Sequence, residues 1–338
     1  MLLDIGDVYQ GTAVGWMTRG RLMIDLFKQM DYDGWVMGNH EFDWGPEVVL
    51  DAVSRSTMPV LTGNMKLEGK QAGTFEDSSH PLARIVPHIV KNVGGIRIGV
   101  LGITTPGLPY WLRPELLNGF EVTDPVETMK ASLKFLREEA KVDAVIACGH
   151  MGLGDEDDFA NRVLALLETE GGPDVYLGAH THRDHSSRYV GKTLYTQADY
   201  FGIHCGRVDL SFDMELRRVV EKRAYTVLMD ERIPEDPLVL EIAGKDLGDA
   251  KTYLAEQMGE LAVDLSHKRP GPGQGSPLQG LIASSIMHAA ARHDVKPDGV
   301  FHGTFGSGTL AAGMKTVAAA WTILPYRSEE HTSELQSR

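Results

Sequence analysis

Cysteine is scarce in this sequence, and long apolar runs are missing from it. Cys148 and Cys205 are the only two cysteines among 338 residues. Both stand beside apolar residues, so we expect small buried side chains rather than a disulfide framework, and the redox compartment stays open. No apolar run approaches the roughly 18 residues that cross a membrane, so no transmembrane segment is predicted. The content of 42% hydrophobic and 24% charged residues is typical of a globular protein.

Basic residues are also few relative to acidic ones. The chain has 33 Lys and Arg against 47 Asp and Glu, which gives a formal net charge of −14. Such a surface repels polyanions, so neither a nucleic-acid polymer nor an acidic membrane is predicted as an obligate partner. The acidic residues are expected to form a solvated surface, and the sequence leaves the oligomeric state open.

Short apolar runs alternate with helix-period stretches, which is the pattern of a layered α/β domain. Helices are predicted at 21–30 and 126–140 from their apolar faces. The predicted strands are 58–61, 96–103, 143–148 and 174–178, followed by 193–197, 206–212 and 219–227, which we expect to be edge strands. Residues 184–186, close behind the histidines of 180–182, are expected to form a surface loop.

The acidic and proline-containing stretch 230–237 predicts a domain boundary. We expect one domain at 1–228, and a linker helix with part of a second domain at 229–326. Within the second part, helices are predicted at 238–258 and 278–293, separated by a Gly/Pro loop. Residues 327–338 resemble the translation of a sequencing adapter and are excluded from the fold reasoning.

Four short segments place metal-ligating side chains directly after apolar, strand-like runs. They are Gly6-Asp7, Gly38-Asn39-His40-Glu41, Gly149-His150 and Gly178-Ala179-His180-Thr181-His182. If these strands end at one edge of a sheet, one Asp, one Asn and several His come together. Mixed oxygen and nitrogen ligands suit Zn, Mn, Fe or Co better than Ca or Mg. A site for two such cations is what a metal-dependent phosphoester hydrolase requires.

These segments resemble the calcineurin-like metallophosphoesterases, and among them the 5′-nucleotidase family. The resemblance rests on residues 4–12, 38–45 and 178–182 together with His150, and it extends over about residues 1–228. It implies the α/β (α+β) fold class, as a four-layer αββα sandwich with a partial C-terminal α/β substrate domain.

The resemblance also implies a set of ligands for two divalent cations. Asp7 would bridge the two ions with its carboxylate. Asn39, His150 and His180 would complete the shell of one ion, and His182 would ligate the other beside Asp7.

His40 stands beside these ligands but is not expected to bind a cation. By resemblance it faces the scissile phosphate and stabilises charge or protonates the leaving oxygen. Asp43, three positions further on, can accept a hydrogen bond from the imidazole and set its tautomer. The alternative is that His40 and Asp43 pair only to stabilise a turn.

Two features depart from the family pattern. The family has an Asp-x-His pair upstream of Asp7, and this sequence has none. We therefore expect a gene fragment cut at both sides, with a weak second cation site and poor activity. Residues 303–308 stand in place of the family's Asn-Gly-Gly-Gly-x-Arg segment and lack its arginine. Gly306, Ser307 and Gly308 there either bind substrate phosphate through backbone N–H groups or form only a turn.

The predicted function is a dinuclear hydrolase of phosphomonoesters, with nucleotides as the expected small-molecule substrates. Its reaction is attack of metal-bound hydroxide on phosphorus, without a covalent enzyme intermediate. The alternatives are hydrolysis of UDP-sugars, cyclic nucleotides or thiosulfate esters, or a non-catalytic protein that binds metal or nucleotide. The family resemblance favours a periplasmic or secreted location.

Overall fold

The computed structural model describes residues 1–153, 163, 167, 171–300, 302 and 308–324. The chain divides into two compact units, Met1–Tyr9 with Arg19–Ile242 and Gln10–Thr18 with Ala243–Arg338. Helices and several sheets alternate along the described chain, which confirms the predicted α/β class. The domain bounds at 1–228 and 229–326 stay a prediction. Every helix among the described residues is too short or too polar to pass through a membrane.

The described chain contains strands and helices with the following bounds. The strands are β1 Leu3–Asp4, β2 Gly34–Trp35, β3 Val60–Leu61, β4 Met65–Leu67, β5 Lys70–Gln71, β6 Ile85–Val86, β7 His88–Val93, β8 Ile96–Ile103, β9 Phe120–Val122, β10 Ala144–Gly149, β11 Val175–Gly178, β12 Asp184–Val190, β13 Thr193–Ala198, β14 His204–Asp213, β15 Arg218–Leu228, β16 Gln257–Leu261 and β17 Gly313–Thr316. The α-helices are Ala13–Thr18, Arg21–Gln29, Pro46–Arg55, Leu108–Trp111, Pro125–Lys134, Pro237–Leu254, Pro277–Ala291 and Val317–Ile323.

Two sheets of the first unit position the metal-ligating segments. One has the order β1-β2-β3-β6 and is parallel throughout, and the other has the order β12-β13-β11-β10-β8-β7. Gly149 lies opposite Gly178 where the parallel strands β10 and β11 end; His150 follows Gly149 directly, and His180 follows Gly178 after one residue. In the parallel sheet, β1 ends three positions before Asp7. The ends of parallel strands therefore deliver the candidate ligands.

The central strands form because their sequences are apolar on both faces. In β8 every residue except Arg97 is buried, and in β10 every residue is buried. Parallel strands covered on both faces have such continuous apolar runs. The strand predicted at 96–103 is confirmed at its predicted bounds, and the one predicted at 143–148 is shifted by one residue.

The two helices predicted in the first unit are confirmed. Arg21–Gln29 buries Leu22, Ile24 and Phe27. Pro125–Lys134 begins at Asp124, whose carboxylate accepts hydrogen bonds from two backbone N–H groups of the first turn. The predicted helix at 126–140 is α-helical only to Lys134, and it continues as a π-helical turn at Phe135–Glu139.

Three local predictions for the first unit are wrong. Thr193–Ala198 is an inner strand of the six-stranded sheet rather than an edge strand. The edge is formed by Asp184–Val190, whose first three residues are predicted above to be a surface loop. The loop prediction at 184–186 is wrong because this strand carries exposed polar residues and no apolar run. Cys205 is exposed rather than buried, whereas Cys148 is buried as expected.

The second unit contains the predicted helix at 278–293, observed as Pro277–Ala291. Ser276 and Gln279 form a reciprocal capping box at its start, with hydrogen bonds of 2.8 and 3.1 Å. The helix predicted at 238–258 ends at Leu254, because the chain enters an antiparallel pair of strands at Gln257.

Candidate metal centre

Asp7 lies in a tight turn directly after β1. Its φ is 64°, in the left-handed region that residues other than glycine rarely adopt, and Gly6 before it has a φ of 93°. A Cβ atom at Gly6 would lie 2.5 Å from the Gly38 nitrogen and 2.9 Å from Nδ1 of His150. Three segments of the chain therefore meet here, and only glycine lets them approach so closely. Strained backbone of this kind concentrates at functional sites.

His150 is buried and its two ring nitrogens face different partners. Nδ1 lies 2.6 Å from the carbonyl oxygen of Ile5, which can only accept, so Nδ1 carries a proton. Nε2 lies 2.8 Å from Oδ2 of Asp7. Among the described residues, these two buried atoms have no partner other than each other. When His150 is charged, its Nε2 proton lies between them. A divalent cation can take the place of that proton, because metal ligands bind in their deprotonated form.

The charges of Asp7 and His150 act on each other. Burial alone would raise the pKa of Asp7, but the positive charges of His150 and His40 lower it below its usual range. Burial alone would lower the pKa of His150, but the Asp7 carboxylate raises it. The carboxylate is therefore ionised at neutral pH and provides the negative charge that a cation site needs.

His180 joins this pair from the end of β11. One ligand atom each from Asp7, His150 and His180 can be chosen so that all three lie within 4.8 Å of one another. Nδ1 of His180 also lies 3.1 Å from Oδ1 of Asn39, which is 2% exposed. The ring of Trp111 stacks on the imidazole of His180 at 5.1 Å. The structure thus brings four of the five predicted ligands together.

His182 lies outside the group of three. Its backbone is left-handed, with a φ of 51°, its side chain is exposed, and its ring lies 5.6 Å from that of Tyr200. Its role in a second cation site stays a prediction. Gly308 is exposed, whereas Gly306 and Ser307 lie outside the described residues. Their role in binding substrate therefore also stays a prediction.

His40 and Asp43 pair at the rim of this cluster. The backbone N–H of His40 donates to Oδ1 of Asp7 at 2.9 Å, and Nδ1 of its ring lies 3.1 Å from Oδ2 of Asp43. His40 is 4% exposed. The short helical turn His40–Phe42 places the imidazole beside Asp7 while Asp43 determines which nitrogen carries the proton.

Glu41 is fully buried and joins the loop after β1 to the loop after β2. Its Oε2 accepts hydrogen bonds from the N–H groups of Asp7 at 2.9 Å and Gly38 at 2.5 Å, and its Oε1 accepts one from Val8 at 2.8 Å. Burial, followed by the negative charge of Asp7, raises the pKa of Glu41 to about 7. Glu41 holds the two ligand-bearing loops together.

A model of the calcineurin-like phosphoesterase family matches residues 1–184, which is more than half of the chain. The chain belongs to the calcineurin-like phosphoesterase family. Members of this family typically bind divalent metals, and the cluster of Asp7, His150 and His180 has the ligand atoms for such an ion.

Among curated proteins, the chain is similar to the trifunctional nucleotide phosphoesterase protein YfkN of Bacillus subtilis. The two are 28% identical over 100% of this chain and 24% of that protein. It is also 27% identical to the snake venom 5′-nucleotidase of Naja atra, over 79% of this chain and 51% of that protein. The chain therefore spans about a quarter to a half of the length of these relatives.

A solved structure confirms the predicted fold class of the chain. The 5′-nucleotidase precursor from Thermus thermophilus superimposes with a TM-score of 0.71 at 22% identity. The match covers 96% of this chain and 64% of that one. The predicted resemblance to calcineurin-like phosphoesterases, with 5′-nucleotidases among the relatives, is confirmed.

Two residues that shape the site have no role that the sequence alone indicates. Glu41 stands only within a motif, and its apolar neighbour Phe42 is the one local signal of a buried carboxylate with specific partners. Trp111, which covers His180, lies in a short helix 69 positions away, and no local pattern indicates that contact.

Replacing Glu41 with glutamine is expected to lower the free energy of unfolding by about 1–3 kcal/mol, because an amide NH₂ group cannot accept a backbone hydrogen bond. The Glu41 pKa lies above its usual value of 4.5, so between pH 4.5 and about 7 the folded chain keeps a proton that the unfolded chain releases. The stability of the parent therefore falls as the pH rises through that interval, and the cost of the replacement shrinks. Urea unfolding across the interval measures both effects.

The matched control for this experiment is Glu121→Gln. Glu121 is exposed and pairs with Lys66 at 2.9 Å on the surface, so its replacement should change stability by less than about 1 kcal/mol. If the free energy of unfolding of Glu41→Gln falls with pH as steeply as that of the parent, then the buried carboxylate does not titrate as described.

Proposed function

We propose that this protein hydrolyses phosphomonoesters, and nucleotides in particular, with the help of divalent cations bound by the cluster of Asp7, His150 and His180. The observation that carries this proposal is the pair formed by Oδ2 of Asp7 and Nε2 of His150. These atoms are buried and 2.8 Å apart, and among the described residues they have no partner other than each other. A carboxylate and an imidazole paired in this way can release the proton between them and bind a cation in its place.

The residues that would hold one cation are Asp7, Asn39, His150 and His180. They provide one carboxylate, one amide oxygen and two imidazoles, a set that fits Zn, Mn, Fe or Co. The carbonyl of Ile5 keeps the proton on Nδ1 of His150, so that Nε2 offers its lone pair. A bound cation would supply positive charge for the phosphoryl oxygens and make water more acidic.

The dinuclear form of the mechanism is also part of the proposal. Asp7 has two carboxylate oxygens, one beside His150 and one that accepts the N–H of His40. A carboxylate can bind two cations, one through each oxygen. His182 is the second proposed ligand of the other ion.

His40 and Asp43 would move the proton that the reaction requires. Asp43 accepts a hydrogen bond from Nδ1 of His40 and keeps that nitrogen protonated. The Asp43 carboxylate also stabilises the positively charged imidazolium form of His40, in which both ring nitrogens carry a proton. The Nε2 proton of that form would pass to the alcohol oxygen that leaves phosphorus, and the imidazole would be left neutral. Burial of both groups restricts the orientation of the imidazole.

Nucleotides are proposed as substrates because of the relatives. One relative is described as a nucleotide phosphoesterase and another as a 5′-nucleotidase. The snake venom source of the second relative supports a secreted or periplasmic location, which we include in the proposal.

Hydrolysis of a substrate panel tests the proposed function. The panel contains AMP, p-nitrophenyl phosphate, a UDP-sugar, a 2′,3′-cyclic nucleotide and a thiosulfate ester, each with Mn²⁺, Co²⁺ or Zn²⁺ and with excess EDTA. We expect the highest kcat/KM with AMP and complete loss of turnover with EDTA. A higher kcat/KM for a substrate that is not a phosphomonoester, or turnover that persists with EDTA, would contradict the proposal.

A further inference from the structure

The turn that carries His180 and His182 has an unusual backbone. Both histidines are left-handed, with φ values of 71° and 51°, and Thr181 lies between them. The Thr181 N–H donates to the carbonyl of Ala179 at 2.8 Å, which makes the turn very tight. Two left-handed centres on either side of one residue are costly, so surrounding contacts must hold the turn in place.

The side chain of Thr181 is anchored outside its own loop. Its hydroxyl donates a hydrogen bond of 3.1 Å to Oε1 of Gln197, which belongs to the neighbouring strand β13. Gly178, at the end of β11, is the register partner of Gln197. The anchor thus lies beside the point where the chain leaves the sheet toward His180.

Gln197 is itself held by a buried network. It is 1% exposed, and its Oε1 accepts a second hydrogen bond of 2.6 Å from the hydroxyl of Tyr195. That hydroxyl accepts the N–H of Leu153 at 3.0 Å. Leu153 lies three positions after His150, so the network connects the loop of one candidate ligand to the loop of the other.

The close packing of these loops leaves little freedom around the anchor. A Cβ atom at Gly152 would lie 2.2 Å from Oγ1 of Thr181 and 2.6 Å from Oε1 of Gln197. A Cβ atom at Gly178 would lie 2.4 Å from the hydroxyl oxygen of Tyr195. Because both positions are glycine, the hydrogen-bonded side chains of the network can pack directly against the two loops.

The side-chain amide of Gln197 makes its hydrogen bonds through its oxygen. Its Nε2 is buried and has no hydrogen-bond partner among the described residues, which is an unfavourable state for a donor. The two bonds accepted by Oε1 are therefore the contacts that justify an amide at this buried position.

We propose that Gln197 is a positioning residue that, through Thr181, holds the strained His180–His182 turn in the shape that binds the cation. This inference rests on the proposed function, because the cation that the turn binds is part of that proposal. Outer contacts of this kind orient metal-ligating side chains, and their loss commonly lowers metal affinity by about 10-fold to 100-fold.

The experiment measures Co²⁺ affinity from the visible absorption of the bound ion, together with Tm of the metal-free protein. Gln197→Met keeps the length of the side chain but removes the acceptor, and Thr181→Val keeps the shape but removes the donor. Thr181→Ser keeps the hydroxyl and tests rescue. Thr193→Val is the matched control. Thr193 lies on the same strand as Gln197, and the replacement removes a buried hydrogen bond of 2.7 Å from its hydroxyl to the carbonyl of Pro173.

We expect Gln197→Met and Thr181→Val each to weaken Co²⁺ binding by about 10-fold or more, and the double variant to be no weaker than either single one. Thr181→Ser and Thr193→Val should bind Co²⁺ within about twofold of the parent, even where Tm falls. Equal loss of affinity in Thr193→Val, or unchanged affinity in Thr181→Val and Gln197→Met, would overturn the inference alone. If the parent itself binds no Co²⁺, then the proposed function fails and the inference fails with it.

Discussion

Replacing Asp7 with asparagine is expected to weaken binding of a divalent cation by more than about 100-fold and to remove hydrolysis of AMP. The loss of an outer contact alone commonly costs about 10-fold to 100-fold in affinity, and Asp7 is proposed to bind the ion directly. The replacement removes the negative charge that lies 2.8 Å from Nε2 of His150. Calorimetric titration with Mn²⁺ measures the affinity.

Asp51→Asn is the control for this substitution. Asp51 is partly exposed and pairs with Arg21 at 2.8 Å on the surface, so the same chemical change there should leave cation affinity within about twofold of the parent. Circular dichroism of both variants shows whether they fold. A folded Asp7→Asn protein that binds Mn²⁺ as well as the parent would contradict the proposed role of this carboxylate.

Replacing Gly38 with alanine is expected to disrupt the site without replacing a ligand. The added Cβ would lie 2.2 Å from Oδ1 of Asp7 and 2.6 Å from Cε1 of His150. No side chain fits at these distances, so the loops after β1 and β10 must move away from Gly38. Overpacking of this kind typically costs about 1–3 kcal/mol of stability. We also expect Mn²⁺ affinity to fall by more than about 10-fold, as when outer contacts of a metal site are lost.

The matched control for Gly38→Ala is Gly248→Ala. Gly248 lies in the helix Pro237–Leu254, and an added Cβ would meet no atom within 4 Å. Alanine should stabilise this helix by about 0.5–1 kcal/mol and leave cation affinity unchanged. Urea unfolding and Mn²⁺ titration compare the two variants. If Gly38→Ala retains both the stability and the affinity of the parent, then the loops are not packed as the structure shows.

The fold could be predicted where strands and helices have strong apolar patterns. β8 at Ile96–Ile103 is buried along nearly its whole length, and the helix Pro277–Ala291 starts at a capping box, so both have clear sequence signals. β12 at Asp184–Val190 has no such signal, because it lies at a sheet edge and its side chains are mostly polar and exposed. Cys205 could not be placed for a related reason: apolar neighbours in sequence do not determine which face of a strand is covered.

Much of the candidate site could also be placed from the sequence. Asp7, His150 and His180 follow strands that end together, and their ligand atoms lie within 4.8 Å of one another. The contacts that hold them could not be foreseen, because they join distant segments. Glu41 binds the N–H of Asp7 across 34 positions, and Gln197 binds Thr181 across 16. Such contacts depend on the tertiary packing of the loops, and no periodicity or local motif encodes them.

The most direct test is an anomalous difference map from crystals of the chain grown with Mn²⁺ and measured at the manganese absorption edge. The account predicts a strong peak bonded to the side chains of Asp7, His150 and His180, with Asn39 beside it. A map with no peak among these side chains, or with manganese bound only elsewhere on the chain, would contradict it.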